Sequence, residues 1–184
     1  MVLFKLIPTN FTEEARKISE KIALLPKDQW KEVDFESNTP RSRIVLSHIP
    51  GEVTIPFRTA LNNSIVRDVQ RLVADFAKAK IRKAKPEEYQ LPPTVLRLQI
   101  SSQQPPPWLE TSKHDIVILQ SFHAPHSNAK LKLRNKSTGE ADEVTLQHDV
   151  VVVVFEGVMY QPVPLQTPIL TQKLFIEPTD DVNQ

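Results

Sequence analysis

HDVVVVVFEGVMY, residues 148–160, decides how the rest of the chain is read. Val150 to Val154 are five successive β-branched residues, Phe155 closes the run, and Glu156-Gly157 interrupts it. Branching at Cβ narrows χ1 and suits a pleated strand better than a helix. An unbroken apolar run of this length, bounded by polar residues, predicts a strand covered on both faces. The covering layers must then come from the rest of the chain. HDIVILQSF (114–122), NAKLKLRN (128–135), ADEVTLQ (141–147) and TPILTQKLFIEP (167–178) are further β-rich runs separated by turns. Lys136-Ser137-Thr138-Gly139-Glu140 reads as the hairpin turn between two of them. Pro162 and Pro164 predict a loop or an edge.

Upstream the periodicity changes. Val95 to Ile100 alternates as a half-buried strand does, and Ser101 to Pro107 is a polar, proline-rich surface loop. From Asn63, a good cap, the apolar positions Ile65, Val69, Leu72, Val73, Phe76 and Ala77 recur at helical spacing. This predicts a helix through Ile81, closed by Pro86. Asn10, with Glu13 three residues on, predicts the capped start of an earlier amphipathic helix carrying Ala15, Ile18, Ile22 and Leu25 and ending at Pro26. Val2 to Ile7, Trp30 to Phe35 and Arg43 to Leu46 are shorter strand candidates, and Pro50-Gly51 is a turn signal. Two early helices followed by six or seven strands make an α+β chain. The expected architecture is a double-stranded β-helix (jelly-roll) core with the two N-terminal helices packed on one face. It reads as a single domain over 1–184, with a helical and strand part (1–93), a β-rich core (94–178) and a frayed tail (179–184).

Composition excludes more than it suggests. The chain of 184 residues is long enough to bury roughly 70% of its unfolded surface. Twenty-three basic residues against 22 acidic ones leave a net charge of +1, so overall electrostatics point to neither a nucleic acid nor a membrane. There is no cysteine, which removes disulfides, thiolate metal sites and cysteine nucleophiles together. Three glycines, Gly51, Gly139 and Gly157, stand too far apart for a phosphate-cradling loop. No apolar stretch approaches a membrane span, and the first residues lack the pattern of a secretory signal. The expected location is therefore cytoplasmic or within a particle.

The segment LRLQISSQQPPPWLETSKHDIVILQSFHAPHSNAKLKLRNKSTGEADEVTLQHDVVVVVFEGVMYQPVP, preceded by the two helices, resembles the iron- and 2-oxoglutarate-dependent dioxygenases of the AlkB-like branch. The resemblance covers residues 94–177 and rests on strand order and spacing. It implies a double-stranded β-helix and, in a catalytic member, Fe(II) held by a His-x-Asp pair and a distal histidine, with a basic residue gripping 2-oxoglutarate. At the first position this chain carries Trp108-Leu109-Glu110, or Leu109-Glu110-Thr111 in the adjacent register. The distal position carries Tyr160-Gln161. Where the basic residue belongs stand Leu170 and Thr171, with Lys173 the nearest cation. The implied reading is a degenerate member without the iron-ligand motif, and so without a cofactor.

Five histidines remain to be weighed. His123 and His126 are the one close pair, and His114, Asp115, His148 and Asp149 are the other nominees for a metal. Without a recognisable third ligand, solvated loop histidines are the preferred reading. His114-Asp115 and His148-Asp149 read as polar residues leading into strands. The acid pairs Glu13-Glu14, Glu87-Glu88, Asp142-Glu143 and Asp180-Asp181 fall at turns and element ends, where charge is solvated. Lys78, Lys80, Arg82, Lys83 and Lys85 make the end of the second helix basic, which could contact nucleic-acid phosphates or simply complement the helix dipole. No residue stands out as catalytic. The leading expectation is a non-catalytic subunit acting with protein partners in a larger assembly, such as a viral particle or a ribonucleoprotein. The alternatives are an Fe(II)/2-oxoglutarate dealkylase or hydroxylase with ligands drawn from His114, Asp115, His123, His126 and His148, and a nucleic-acid-binding module using residues 78–85.

Overall fold

The computed structural model describes residues 2–26, 30–33, 43–47, 51–86, 88, 94–99, 108–124 and 127–179. In it the valine run becomes β10 (Val150–Val154), antiparallel between β1 (Phe4–Pro8) and β7 (Asp115–Ser121). These three belong to a large sheet that continues from β7 through β12 (Ile169–Pro178), β5 (Thr94–Gln99), β3 (Arg43–Ser47) and β2 (Trp30–Val33). The long β12 pairs β5 through residues 169–171 and a short β4 (Ala79–Arg82) through residues 175–178. A second sheet has the order β6 (Leu109–Glu110), β11 (Val158–Val163), β8 (Lys130–Asn135), β9 (Ala141–Thr145). All of these pairings are antiparallel.

Strand alternation divides the large sheet between two cores. Val151 and Val153 of β10, Ile116 and Ile118 of β7, Val95, Leu170 and Ile176 face two helices, α1 (Thr12–Ala23) and α2 (Gly51–Leu72). Ala15, Ile18 and Ile22 of α1, with Phe57, Leu61, Ile65, Val69 and Val73 of the second helical segment, complete that layer. The four-residue spacing of the latter set explains why one stripe stays in contact along the helix. On the opposite side, Val152, Val154, Val117, Leu119, Leu96, Leu98 and Ile169 meet Leu131, Leu133, Val144, Val158 and Tyr160 of the second sheet. Val151 through Val154 are each at most 1% exposed, as a strand between two layers requires. The chain is therefore α+β, with both helices on one face of the large sheet.

Several sequence expectations are corrected. The second helix starts at Gly51, twelve residues before Asn63, and runs through Pro56. It ends with a π-helical turn, Val73–Ala77, and not near Pro86. The wider turn shifts the apolar stripe, so Phe76 is turned outward and is 43% exposed. Lys78 then adopts the left-handed conformation (φ 50°) and residues 79–82 form β4 on the edge of β12. The basic stretch is thus a turn and a strand. Sheet pairing and the burial of Ala79 override the helical pattern. The first helix has Phe11 at its N-cap with no side-chain cap, so Asn10 and Glu13 form no capping box, and it stops at Ala23. Pro162 lies inside β11, opposite Leu131, past the point where β6 covers the other edge. The strand candidates at Val2 to Ile7, Trp30 to Phe35 and Arg43 to Leu46 become β1, β2 and β3, and β4 is the strand of the N-terminal part that the sequence did not suggest. The 101–107 loop and residues 180–184 of the expected tail fall outside the described residues, while Thr179, the first residue of that tail, is held by its N–H and hydroxyl donating to the Lys78 carbonyl.

Lys78→Gly is expected to raise stability by about 0.5 kcal/mol and Lys78→Val to lower it by about 1 kcal/mol, read from urea midpoints. A helix continuing through this position would reverse the order, because glycine is the poorer helix former.

Candidate functional site

The resemblance directs attention to the end of the sheets where β6 leads into β7 and β10 turns into β11. Glu110 points its Oε1 at Lys136 Nζ, 2.7 Å away. Thr111 is fully buried. Its Oγ1 donates to the Phe155 carbonyl at 2.6 Å and accepts from the Val158 N–H at 2.9 Å, while its backbone N–H donates to the Val158 carbonyl at 3.0 Å. The hydroxyl is taken up in holding the β10–β11 turn, where Gly157 takes the left-handed conformation (φ 70°). The next carboxylate, Asp115, is 2% exposed at the start of β7. Its Oδ1 accepts the Ser112 N–H at 2.8 Å, and its Oδ2 lies 2.9 Å from Lys173 Nζ on β12. Burial pushes the Asp115 carboxyl up despite these partners. Burial and the Asp115 charge together push the Tyr160 phenol up as well.

These residues do not fit a ferrous centre. No imidazole stands among Glu110, Thr111, Asp115, Tyr160 and Lys173, and both carboxylates are already engaged by lysines. His114 is the nearest histidine in sequence. It is exposed in a left-handed turn (φ 70°), with its N–H donating to Glu156 Oε2 at 3.1 Å and its carbonyl taking the Ile176 N–H. Lys173, the cation nearest in sequence to the place of a 2-oxoglutarate clamp, is the counterion of a buried aspartate.

The other nominated histidines lie at the opposite end of β7, roughly 20 Å of strand away. There the structure joins His123 and His148, which continue the β7–β10 register and stack with ring centroids 4.2 Å apart at 32°. His123 Nδ1 meets Ser121 Oγ at 2.8 Å, and His148 Nε2 donates to the His123 carbonyl at 2.9 Å. Ser19 of α1 donates to the carbonyls of Phe122 and His123, both at 2.8 Å. Gln120 Nε2 donates to the His148 carbonyl at 3.1 Å. Burial, reinforced by His148, lowers the His123 imidazole to about 4. This is a polar clamp between α1, β7 and the segment leading into β10. His123 and His148 are thus half-buried and stacked, so His123 is not the solvated loop residue expected, and the sequence signal for their contact is that each lies two residues beyond its strand. His126 lies outside the described residues, and among those described no three His, Asp or Glu side chains gather in a metal-binding group.

The basic stretch is partly neutralised. Arg82 forms a bidentate pair with Glu88, which lowers that carboxyl to about 2, and Lys80 lies 3.3 Å from Glu177. Arg82 also lies over the Phe175 ring, 5.3 Å from its centre. Lys78, Lys83 and Lys85 are exposed. The five cations therefore do not form one helical face, and Glu88 is a structural partner, not a freely solvated acid. Among the described residues no helix is long and apolar enough to cross a membrane.

No protein-family model matches the chain, and no curated protein matches it in sequence.

Two outcomes test these electrostatics. Lys173→Ala is expected to cost about 2 kcal/mol, because it strands the buried Asp115 carboxylate, whereas Asp115→Asn stays within about 1 kcal/mol of wild type. Equal losses in urea denaturation would mean that the pair acts only through packing. His123 titrates below its ordinary 6.5, so the folded state holds fewer protons than the unfolded chain between pH 6.5 and about 4. Its contribution is fully present above pH 6.5 and is lost as pH falls through that window. His123→Leu is expected to flatten the fall in urea midpoint between about pH 6.5 and 5, above the main carboxylate titrations. An unchanged slope would count against a desolvated imidazole.

Proposed function

We propose that this chain is a double-stranded β-helix protein without catalytic activity that works through its surfaces as a subunit of a larger assembly. The order in which the chain visits the two sheets supports the roll. From β5 onward it passes large, small, large, then twice small, then large, small, large, giving the four-strand rows β10-β7-β12-β5 and β6-β11-β8-β9. The observation that carries the non-catalytic reading is the use already made of the polar side chains at the β6–β7 end. Thr111 is bonded to the β10–β11 turn, Glu110 to Lys136, and Asp115 to Lys173. A side chain whose lone pairs or charge are committed to the fold is a poor donor to a metal or a reacting atom.

The space between the sheets is closed by apolar side chains. Leu98, Leu131, Leu133 and Val158 fill the space between the sheets at no more than 1% exposure. The enzyme alternative needs an opening and an iron-binding set at the same end, and Glu110, Thr111, Asp115, Tyr160 and Lys173 supply no imidazole, while the one buried carboxylate among them, Asp115, is paired with Lys173.

Calorimetric titration of the purified chain with Mn²⁺, with and without 2-oxoglutarate, tests the reading. The expected outcome is no stoichiometric uptake and no rise in thermal midpoint from the pair beyond that given by Mg²⁺. One equivalent bound with a midpoint rise that requires 2-oxoglutarate would overturn it in favour of a dioxygenase with unusual ligands.

A further inference from the structure

Among the described residues the large sheet ends at β1, and the outer edge of that strand is open in a way the β9 edge of the small sheet is not. Phe155 N–H donates to the Leu3 carbonyl and Thr9 N–H to the Asp149 carbonyl. These bonds set the phase of the antiparallel ladder: Leu3, Lys5, Ile7 and Thr9 direct their backbone groups at β10. Phe4 and Leu6 therefore direct theirs outward. Pro8, with no N–H, ends the outward row. The side chains at this edge are apolar: Leu6 is 44% exposed and Phe4 is half-buried. Lys5, which would ordinarily guard an edge strand, is turned to the helical face, with its Nζ 4.2 Å from the centre of the Phe76 ring.

A groove of about 410 Å³ runs along this edge, lined by residues 2–6 on one side and by Glu140 and Asp142 on the other. The second wall is the turn into β9 and β9 itself, the edge strand of the small sheet. Exposed acids protect the β9 edge, whereas β1 offers backbone donors and acceptors beside apolar surface. An occupant must be extended to meet the outward groups of Phe4 and Leu6. On the side facing β9 it must carry basic residues, whose alkyl stems cover Phe4 and Leu6 while their charged ends reach the acidic wall at the exposed Asp142. On the other side it must carry apolar residues beside Phe76.

We infer that the β1 edge is a docking site for an extended, basic segment of a partner protein, which adds as a further strand to the large sheet. A second copy of this chain is disfavoured in one of the registers open to it. Two β1 edges related by a two-fold axis, with Phe4 opposite Leu6, would set Lys5 directly against its counterpart, and like charges facing each other across strands are unfavourable. The inference names a surface for the assembly role proposed above and rests on that reading. Its test is separate from the Mn²⁺ titration, so either can fail alone.

The probe is a blocked heptapeptide of alternating lysine and valine, with the alternating glutamate and valine peptide as control. Nuclear magnetic resonance of the ¹⁵N-labelled full chain is expected to show slowed hydrogen exchange at the Phe4 and Leu6 amides on adding the lysine peptide. Lys5 and Ile7, already bonded to β10, should change little. Peptides N-methylated on one or the other alternate set of amides leave the protein untouched. One of the two should bind and the other should not, because an added strand uses one set for the ladder. The double variant Glu140→Lys with Asp142→Lys is expected to weaken the lysine peptide by about tenfold or more and to favour the glutamate peptide. Equal binding of both N-methylated peptides, no preference between the charged peptides, or no added protection at Phe4 and Leu6 would overturn the inference. So would concentration-dependent protection of those two amides without peptide, which would assign the edge to a second copy.

Discussion

The structure depends on β10 being paired on both edges and covered on both faces. Pairing with β1 and β7 satisfies its backbone groups, which is what allows so much main chain to be buried. Its valines then serve opposite cores: Val151 and Val153 receive the helices, and Val152 and Val154 receive the small sheet. Neither layer could be removed without exposing a full row of branched side chains. Close packing on both sides also fixes the register, since a slip of one residue would exchange the two sets.

That constraint governs where polar groups survive. At one end of β7, Asp115 stays buried because Lys173 reaches it from the neighbouring β12 and the Ser112 amide bonds its other oxygen. At the other end, the chain continues past the paired strands far enough to bring His123 against His148, with Ser19 of α1 bonded to the backbone beside them. Both sets of polar groups tie strand ends to their surroundings. Each set joins elements distant in sequence: β7 to β12 at one end, and β7 to α1 and the segment before β10 at the other.

The edges of the two sheets are treated unequally. β9 presents Asp142 and Glu143 along with the Glu140 turn, and Glu143 is paired with Lys130 on β8. β1 presents Phe4 and Leu6, with its one cation folded over Phe76. The π-helical turn at Val73–Ala77 produces this arrangement, because it swings Phe76 out of the helical core and into reach of Lys5. A local change in helical pitch thereby alters the character of a sheet edge formed by residues some seventy positions earlier in the chain.

The β-rich character of the last third, the two-faced burial of the run from Val150 to Phe155, the 136–140 hairpin and the existence of two helices were all legible in the sequence. Each depends on side-chain branching, short-range periodicity or turn chemistry, which act over a few residues. The same signals misplaced the ends of both helices. Nothing local told Lys78 to leave the helix, or Gly51 to begin one, when the competing interactions lie on β12 and across the sheet. The polar sites were less legible still. The residue types at Asp115, Lys173, His123 and His148 were visible, but the members of each pair lie 58 and 25 positions apart and became neighbours only through strand register. Local sequence thus determined which segments become strands and how apolar they are. The tertiary structure alone decided which strands lie side by side, which charges are thereby paired, and which edge is left open, because pairing and burial are settled between segments and not within them.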